Sequence, residues 1–315
     1  MAAAAMALLL LFTISQFLPP ASCSPPSNYK HHHCDWCPRH STASLLPPAA
    51  ADLDGKRGGE GACGYGAAMA TELNGGYVVT AAGAEFFRDG AGCGACYQVG
   101  VTDDCPANNI GCTNANANSK LRCRDRRVCG DGGVKVVVVT DAANSTGFVL
   151  AGDAFAAMAK DGMAGQLAGS DNVVPVDFRR IPCEYKKNLT VRVEEGSRNP
   201  GHLAVRFLYQ GGQTDIAAVE IAQADRTRTQ QSWRPMARLR RVWRATRAPA
   251  GPLRLRLVVT AGFGGKWLRT QEAVLPADWR PGQAYDTGLR VTDVALRTCT
   301  RSCRARHGAG DEELR

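Results

Sequence analysis

Beyond its first two dozen residues, this 315-residue chain has no apolar run approaching the roughly 20 residues that a membrane-spanning helix requires. Glycine is plentiful, at 34 residues, but lacks the three-residue period of a collagen. Aromatic residues are scarce at 7%, and charged residues reach only 21% against 44% hydrophobic. The chain thus has apolar material for packed cores and lacks the composition that keeps a chain disordered. No heptad or solenoid period runs through it. Cysteine is the opposite case. Thirteen are present, ten of them from Cys34 to Cys183, with none between Cys183 and Cys299. That abundance points to a disulfide-stapled protein of an oxidising compartment.

The amino terminus agrees. Met1 to Phe17 hold no charged side chain and contain the run Ala7-Leu8-Leu9-Leu10-Leu11-Phe12, followed by Pro19-Pro20 and Ala21-Ser22-Cys23. Residues 1–23 are expected to be a secretory signal peptide, because the two prolines stop the run short of a bilayer's thickness. Cleavage after Cys23 leaves 12 cysteines, an even number that suits full oxidation. The sequons Asn144-Ser145-Thr146 and Asn188-Leu189-Thr190 make Asn144 and Asn188 candidates for glycosylation. The expected location is extracellular, with no membrane association once the signal is removed.

The cysteine-rich first half and cysteine-free second half imply two domains that meet near Ile181-Pro182-Cys183-Glu184-Tyr185-Lys186-Lys187. Charge divides at the same place: residues 50–187 carry 14 Lys/Arg and 16 Asp/Glu, whereas residues 188–294 carry 17 and 9, a net +8. Such a surface attracts acidic polymers through an interaction that salt screens. For an exported protein, acidic polysaccharide is the expected partner rather than nucleic acid, with a solvated basic surface that has no partner as the alternative. In the first half, Lys135-Val136-Val137-Val138-Val139-Thr140 reads as a buried strand, and Asp153 to Ala159 as a short helix with Asp153 near its N-cap. In the second, Leu189–Val193, Leu203–Phe207, Ile216–Ile221 and Leu253–Val259 read as strands separated by Asn199-Pro200-Gly201, Gly211-Gly212 and Gly262-Phe263-Gly264-Gly265, the spacing of an antiparallel sandwich.

Cys34-x-x-Cys37 and Cys93-x-x-Cys96 have metal or redox spacing, and His31-His32-His33 precede the first pair. No second cluster completes a tetrahedral site, so no metal is expected. The disulfide candidates are Cys34, Cys37, Cys63, Cys93, Cys96, Cys105, Cys112, Cys123, Cys129, Cys183, Cys299 and Cys303, with the connectivity open.

More specific are Gly61-Ala62-Cys63-Gly64-Tyr65-Gly66, Cys93-Gly94-Ala95-Cys96-Tyr97, Trp233-x-x-Met236, Val242-Trp243 and Leu275-Pro276-Ala277-Asp278-Trp279-Arg280. Together they resemble the plant expansin superfamily. Cys34-Asp35-x-Cys37, Pro182-Cys183-Glu184-Tyr185-Lys186, Leu208-Tyr209-Gln210-Gly211-Gly212-Gln213-Thr214-Asp215-Ile216 and Gly264-Gly265-Lys266-Trp267 resemble its expansin-like A branch. The likeness runs from about Cys34 to Ile181 and on to Val294, with one gap. It implies a mainly β protein: a six-stranded double-psi β-barrel similar to family-45 endoglucanases, followed by a β-sandwich resembling a cellulose-binding module. The expected layout is an N-terminal segment at 24–49, the barrel at 50–183 with an insertion at 100–121, the sandwich at 188–294 and a basic tail at 295–315. Cys105 and Cys112 fall in the insertion and can staple it on itself; Cys299 and Cys303 can pair within the tail.

The resemblance implies a monomeric wall protein that needs no cofactor. It would disturb noncovalent contacts between cellulose and matrix glucans such as xyloglucan, without hydrolysing them. A protein that only binds cellulose or pectin, a residual glucan hydrolase and an apoplastic signalling or defence protein are the alternatives. An inverting glycosidase needs an acid and a base roughly 6.5–9.5 Å apart. In related barrels one aspartate lies nine residues before the cysteine matched by Cys63, and Asp54 stands there. The other belongs to a His-Phe-Asp triplet, which here reads Gly147-Phe148-Val149. Asp54 and Asp141 are therefore at most vestigial catalytic carboxylates. Stacking of pyranose C–H groups needs flat aromatic faces. Polysaccharide contact is assigned to Asp54 and Tyr65 on the barrel and to Trp233, Trp243 and His202 on the sandwich. His202 stands where the family's Asn-Pro-x-Tyr-Leu pattern has tyrosine, and Trp243 and Trp267 serve either as platform or as core.

Overall fold

The computed structural model describes residues 39–46, 61–65, 72–73, 76–101, 128, 130, 133–142, 145–168, 172–224, 232–260 and 265–291. The signal segment, Asp54, Asn144, the tail at 295–315, the cysteines at 34, 37, 105, 112, 123, 129, 299 and 303, and all but the first two residues of the stretch 100–121 lie outside them.

Six strands, β1 (Arg39–Leu45), β2 (Tyr77–Ala82), β3 (Cys96–Val101), β4 (Val134–Asp141), β5 (Phe148–Leu150) and β6 (Val173–Ile181), close into a barrel in the order β1-β5-β2-β4-β3-β6. The pairs β1·β5 and β2·β4 are parallel and the rest antiparallel. Among the described residues nine further strands follow: β7 (Thr190–Val193), β8 (Leu203–Leu208), β9 (Asp215–Gln223), β10 (Arg234–Pro235), β11 (Ala237–Leu239), β12 (Val242–Ala245), β13 (Leu253–Thr260), β14 (Gly265–Arg269) and β15 (Ala284–Asp286). They form a four-stranded sheet β10-β9-β13-β14 and a five-stranded sheet β11-β12-β8-β7-β15. This is the fold class expected: a closed barrel followed by an antiparallel sandwich.

The valine run explains the barrel's organisation. Central strands buried on both faces read as unbroken β-branched runs. Val134, Val136 and Val138 of β4 point into the barrel with Phe86, Tyr97, Phe148 and Phe178, where Phe86 and Phe148 stack at 4.2 Å. Val137 and Val139 face the other way, into a layer containing Cys63, Tyr65, Cys183, Tyr185 and Leu208. That layer joins the barrel to the sandwich. The sandwich keeps its own core, to which β7, β8, β9 and β13 contribute alternating Leu, Val and Ile side chains.

Two boundaries differ from expectation. The barrel begins at Arg39, ahead of residue 50, because Arg39–Leu45 pairs with both β5 and β6 and closes the cylinder. Only Ala43 in that strand is fully buried, so its polar sequence gave no strand signal. Gly100 and Val101 continue β3 opposite Asp177 and Val176, so they belong to the barrel rather than to an insertion. The short helix Gly152–Ala156 takes Ala151 as its N-cap, leaving Asp153 in the first turn, where its carboxylate accepts from the Ala154 N–H at 2.8 Å.

Candidate functional site

At one rim of the barrel, Ala82 of β2 lies opposite Asp141 on one side and Phe148 on the other. Asp141 and the Gly147-Phe148-Val149 segment are therefore two strand spacings apart, about 9–10 Å between backbones. A second carboxyl in that segment would stand across the rim from Asp141, but the chemistry is missing on that side. Val149 is 5% exposed and can neither donate nor accept a proton. Gly147 has φ +74°, and a Cβ there would lie 2.0 Å from the Thr42 carbonyl oxygen. The backbone at this point leaves no room for the histidine side chain that the related triplet carries. The Gly147 N–H instead donates to Glu85 Oε1 at 2.7 Å, so that carboxylate is spent on holding the loop.

Tyr65 does not offer a binding face. It is 8% exposed in the layer between barrel and sandwich, and its hydroxyl accepts from the Tyr209 N–H at 3.2 Å. Burial pushes its phenol above the ordinary tyrosine range. Tyr185, which donates to the Gly94 carbonyl at 2.6 Å, and Tyr209 complete the cluster, with ring centroids 5.3–5.7 Å apart and edge-to-face geometry. Gly94 sits at φ +74°, where a Cβ would meet the Tyr65 hydroxyl at 2.1 Å, so the glycine of Cys93-Gly94-Ala95-Cys96 makes room for the tyrosines. The two cysteines of this motif part company. Cys63 bonds Cys93, and Cys96 bonds Cys183, so neither is left to bind metal.

Beside the tyrosines lies an ionic cluster that sequence reasoning missed. Asp215, at the start of β9, receives two hydrogen bonds from Arg88 (2.7 and 2.9 Å) and two from Arg180 (3.3 and 2.8 Å). Arg180 is 5% exposed and donates further to the Thr214 carbonyl and, through Nε, to that of Gly212. Burial alone would raise the Asp215 pKa, but Arg180 and Arg88 outweigh it and hold the carboxyl well below the usual range. Arg88 and Asp89 both adopt left-handed backbone, with φ of 47° and 51°. Such conformations cost about 1–2 kcal/mol per non-glycine residue and persist where surrounding contacts fix them. Asp215 stood in the motif quoted for the resemblance, but nothing local in the sequence pairs it with residues 35 and 127 positions away.

The sandwich tryptophans separate cleanly. Trp243 is 6% exposed and Trp279 is 2% exposed, and both fill the core, so Trp243 is not a binding platform. Trp267 on β14 is 57% exposed. Trp233, immediately before β10, is half-buried and meets the same guanidinium as Trp267. The Arg256 guanidinium lies 4.7 Å from the Trp233 ring and 4.9 Å from the Trp267 ring, and Arg269 lies 5.3 Å from Trp233. Arg256 also pairs with Glu220. His202 belongs to the other sheet's end, where its backbone exchanges hydrogen bonds with Arg198 at 2.8 and 3.1 Å, so it does not extend the Trp233–Trp267 surface. Asn188 is half-buried ahead of β7, and its amide donates to Asp286 Oδ2 at 3.2 Å.

The family model described as "Expansin C-terminal domain" matches residues 189–276. The chain is 52% identical to Expansin-like A4 of Oryza sativa subsp. japonica, over 92% of this chain and 91% of that protein. Among solved structures it resembles the apo expansin of Clavibacter michiganensis, with a TM-score of 0.52 and 19% identity over 81% of this chain and 98% of that one. A mutant of that expansin in complex with cellohexaose matches at a TM-score of 0.51 and 18% identity, with the same coverage.

Proposed function

This chain belongs to the expansin-like A family, and on that premise we propose that it is a secreted plant cell-wall protein that binds wall polysaccharides and loosens their noncovalent contacts without hydrolysis. The observation that carries the non-hydrolytic part is Gly147: its positive φ and the 2.0 Å approach of Thr42 to a Cβ exclude the triplet's histidine, while Val149 replaces the carboxyl. Asp141, exposed at the rim opposite, is left to hydrogen-bond glucan hydroxyls rather than to act in a pair, and Asp54 takes the same role. On the sandwich, Trp267 and Trp233 offer the flat apolar faces that pyranose rings stack on. The cellohexaose bound by the Clavibacter protein supports a glucan as one ligand, with cellulose and xyloglucan the wall polymers of that chemistry. Barrel and sandwich share a buried layer, which supports a single polysaccharide-contacting body.

The test is the creep of heat-inactivated wall strips under constant load, with the purified protein added at mildly acidic pH and released sugar assayed in parallel. Extension without reducing sugar is the expected result. Sugar release that disappears in Asp54→Ala would overturn the non-hydrolytic part. Absence of extension from folded protein that still adheres to wall polysaccharide would leave binding alone.

A further inference from the structure

We propose that the outward face of the sheet β10-β9-β13-β14 is a site for acidic polysaccharide, with the uronic acid ring stacked on Trp267 and its carboxylate bound by the arginines beside it. This rests on the reading of the Trp233–Trp267 face as a polysaccharide surface, and it names the class of polymer that face takes.

Alternation along the strands defines the face. Leu253, Leu255, Leu257 and Val259 of β13 are buried, so Arg254, Arg256 and Val258 point outward. Cross-strand register then sets Ala222 beside Arg254, Glu220 and Arg269 on either side of Arg256, and Ala218 and Trp267 on either side of Val258. Among the described residues, the register sets three guanidiniums on this face, Arg254, Arg256 and Arg269, beside one carboxylate, Glu220, a balance complementary to a polyanion. The small side chain of Ala218 keeps the face low beside Val258 and Trp267, while Ala222 is fully buried beneath it.

Arg256 is the centre. It is held between two indoles at 4.7 and 4.9 Å and anchored on Glu220. An arginine fixed in this way loses little freedom when it meets a carboxylate, which its planar fork binds through two parallel hydrogen bonds. A neutral glucan uses the indole alone and gains nothing from the cations. A uronate uses both, because its ring stacks as a hexose does while the carboxylate projects from the ring edge toward Arg256 and Arg269. The basicity of residues 188–294, a net +8, draws such a polymer from a distance.

The experiment compares binding of the full protein to unesterified polygalacturonate, to its methyl-esterified form and to cellulose. Wild type is compared with Trp267→Ala, Arg269→Gln and Arg256→Gln. Polygalacturonate binding is expected to fall about tenfold in each arginine variant and to weaken steeply toward 1 M salt, where screening acts within about 3 Å. Cellulose binding should fall less than polygalacturonate binding in those variants, because a neutral glucan uses the indoles and gains nothing from the cations. Because Arg256→Gln leaves Glu220 without its partner, thermal unfolding is followed in parallel. Arg269→Gln, an exposed position, carries the test if Arg256→Gln is unstable. Equal binding of the esterified and unesterified polymers, or arginine variants that keep wild-type polygalacturonate affinity, would overturn the inference. Equal loss for polygalacturonate and cellulose in the arginine variants would also overturn it, while leaving the polysaccharide face intact. Wild-type protein that binds none of the three would overturn the underlying reading too.

Discussion

Gly147 decides what the barrel rim can carry. A Cβ at this position meets a backbone carbonyl that cannot swing aside, and the backbone dihedral is one that L-residues rarely adopt. Gly147→His, which rebuilds the histidine of the related triplet, is therefore expected to lower stability by about 2 kcal/mol or more and not to restore hydrolysis. Denaturant unfolding checks the first part; a variant as stable as its parent would mean that the rim relaxes and that the lost histidine is not a matter of backbone geometry. At this scale the sequence was informative about what is missing and less so about what points where. The triplet Gly147-Phe148-Val149 declared the lost carboxyl on sight. Tyr65 and Trp243 did not declare their burial, because the groups that cover them come from far along the chain: the Tyr65 hydroxyl is met by a backbone amide 144 positions away. Trp267, left open between platform and core, is the exposed one because it faces outward opposite Val258 on the edge strand β14.

Among the elements, β4 was legible because its valines are buried on both faces, whereas β1 was hidden by polar residues whose only demand is the right hydrogen-bond partners. The junction between β6 and β9 was invisible for a different reason. Arg88, Arg180 and Asp215 look like three separate surface charges until the fold brings them together. Removing the acid leaves two guanidiniums facing each other, one of them 6% exposed, so Asp215→Asn should cost about 3–5 kcal/mol. Its pH dependence has a definite sign. The folded-state pKa of Asp215 is depressed, so its contribution is fully present above the unfolded value of about 4 and fades as pH falls below it. Urea denaturation of parent and variant from neutral to strongly acidic pH should give a constant difference down to about pH 5, shrinking below about pH 4. A difference that narrows already between neutral pH and pH 5 would show that the carboxyl is not held by the two arginines. At the mildly acidic pH of the creep test the cluster is intact.

Across the whole molecule, the barrel and the sandwich are joined by more than a linker. The Asp215 cluster, the tyrosines around Gly94 and the ion pair of Lys187 with Glu72 at 2.7 Å all cross from one to the other or brace the crossing. The disulfide Cys96–Cys183 closes a loop of 87 positions and fixes the last residue before the crossing to β3. In the chain-entropy account a loop of that length is worth about 4–5 kcal/mol, taken from the unfolded state. The consequence is cooperative unfolding. Calorimetry of the oxidised protein should give one transition, with calorimetric and van't Hoff enthalpies equal. In Asp215→Asn, the weakened junction should let the sandwich, whose core of Leu, Val, Ile and Trp side chains is its own, separate from the barrel as a second transition. Two transitions in the parent protein would mean that barrel and sandwich melt independently, and a rigid surface running across both would lose its physical basis. One transition in the parent and two in the variant would place the coupling in the arginine–aspartate cluster, and would make the creep activity of that variant the direct measure of whether loosening needs the two domains to act as one body.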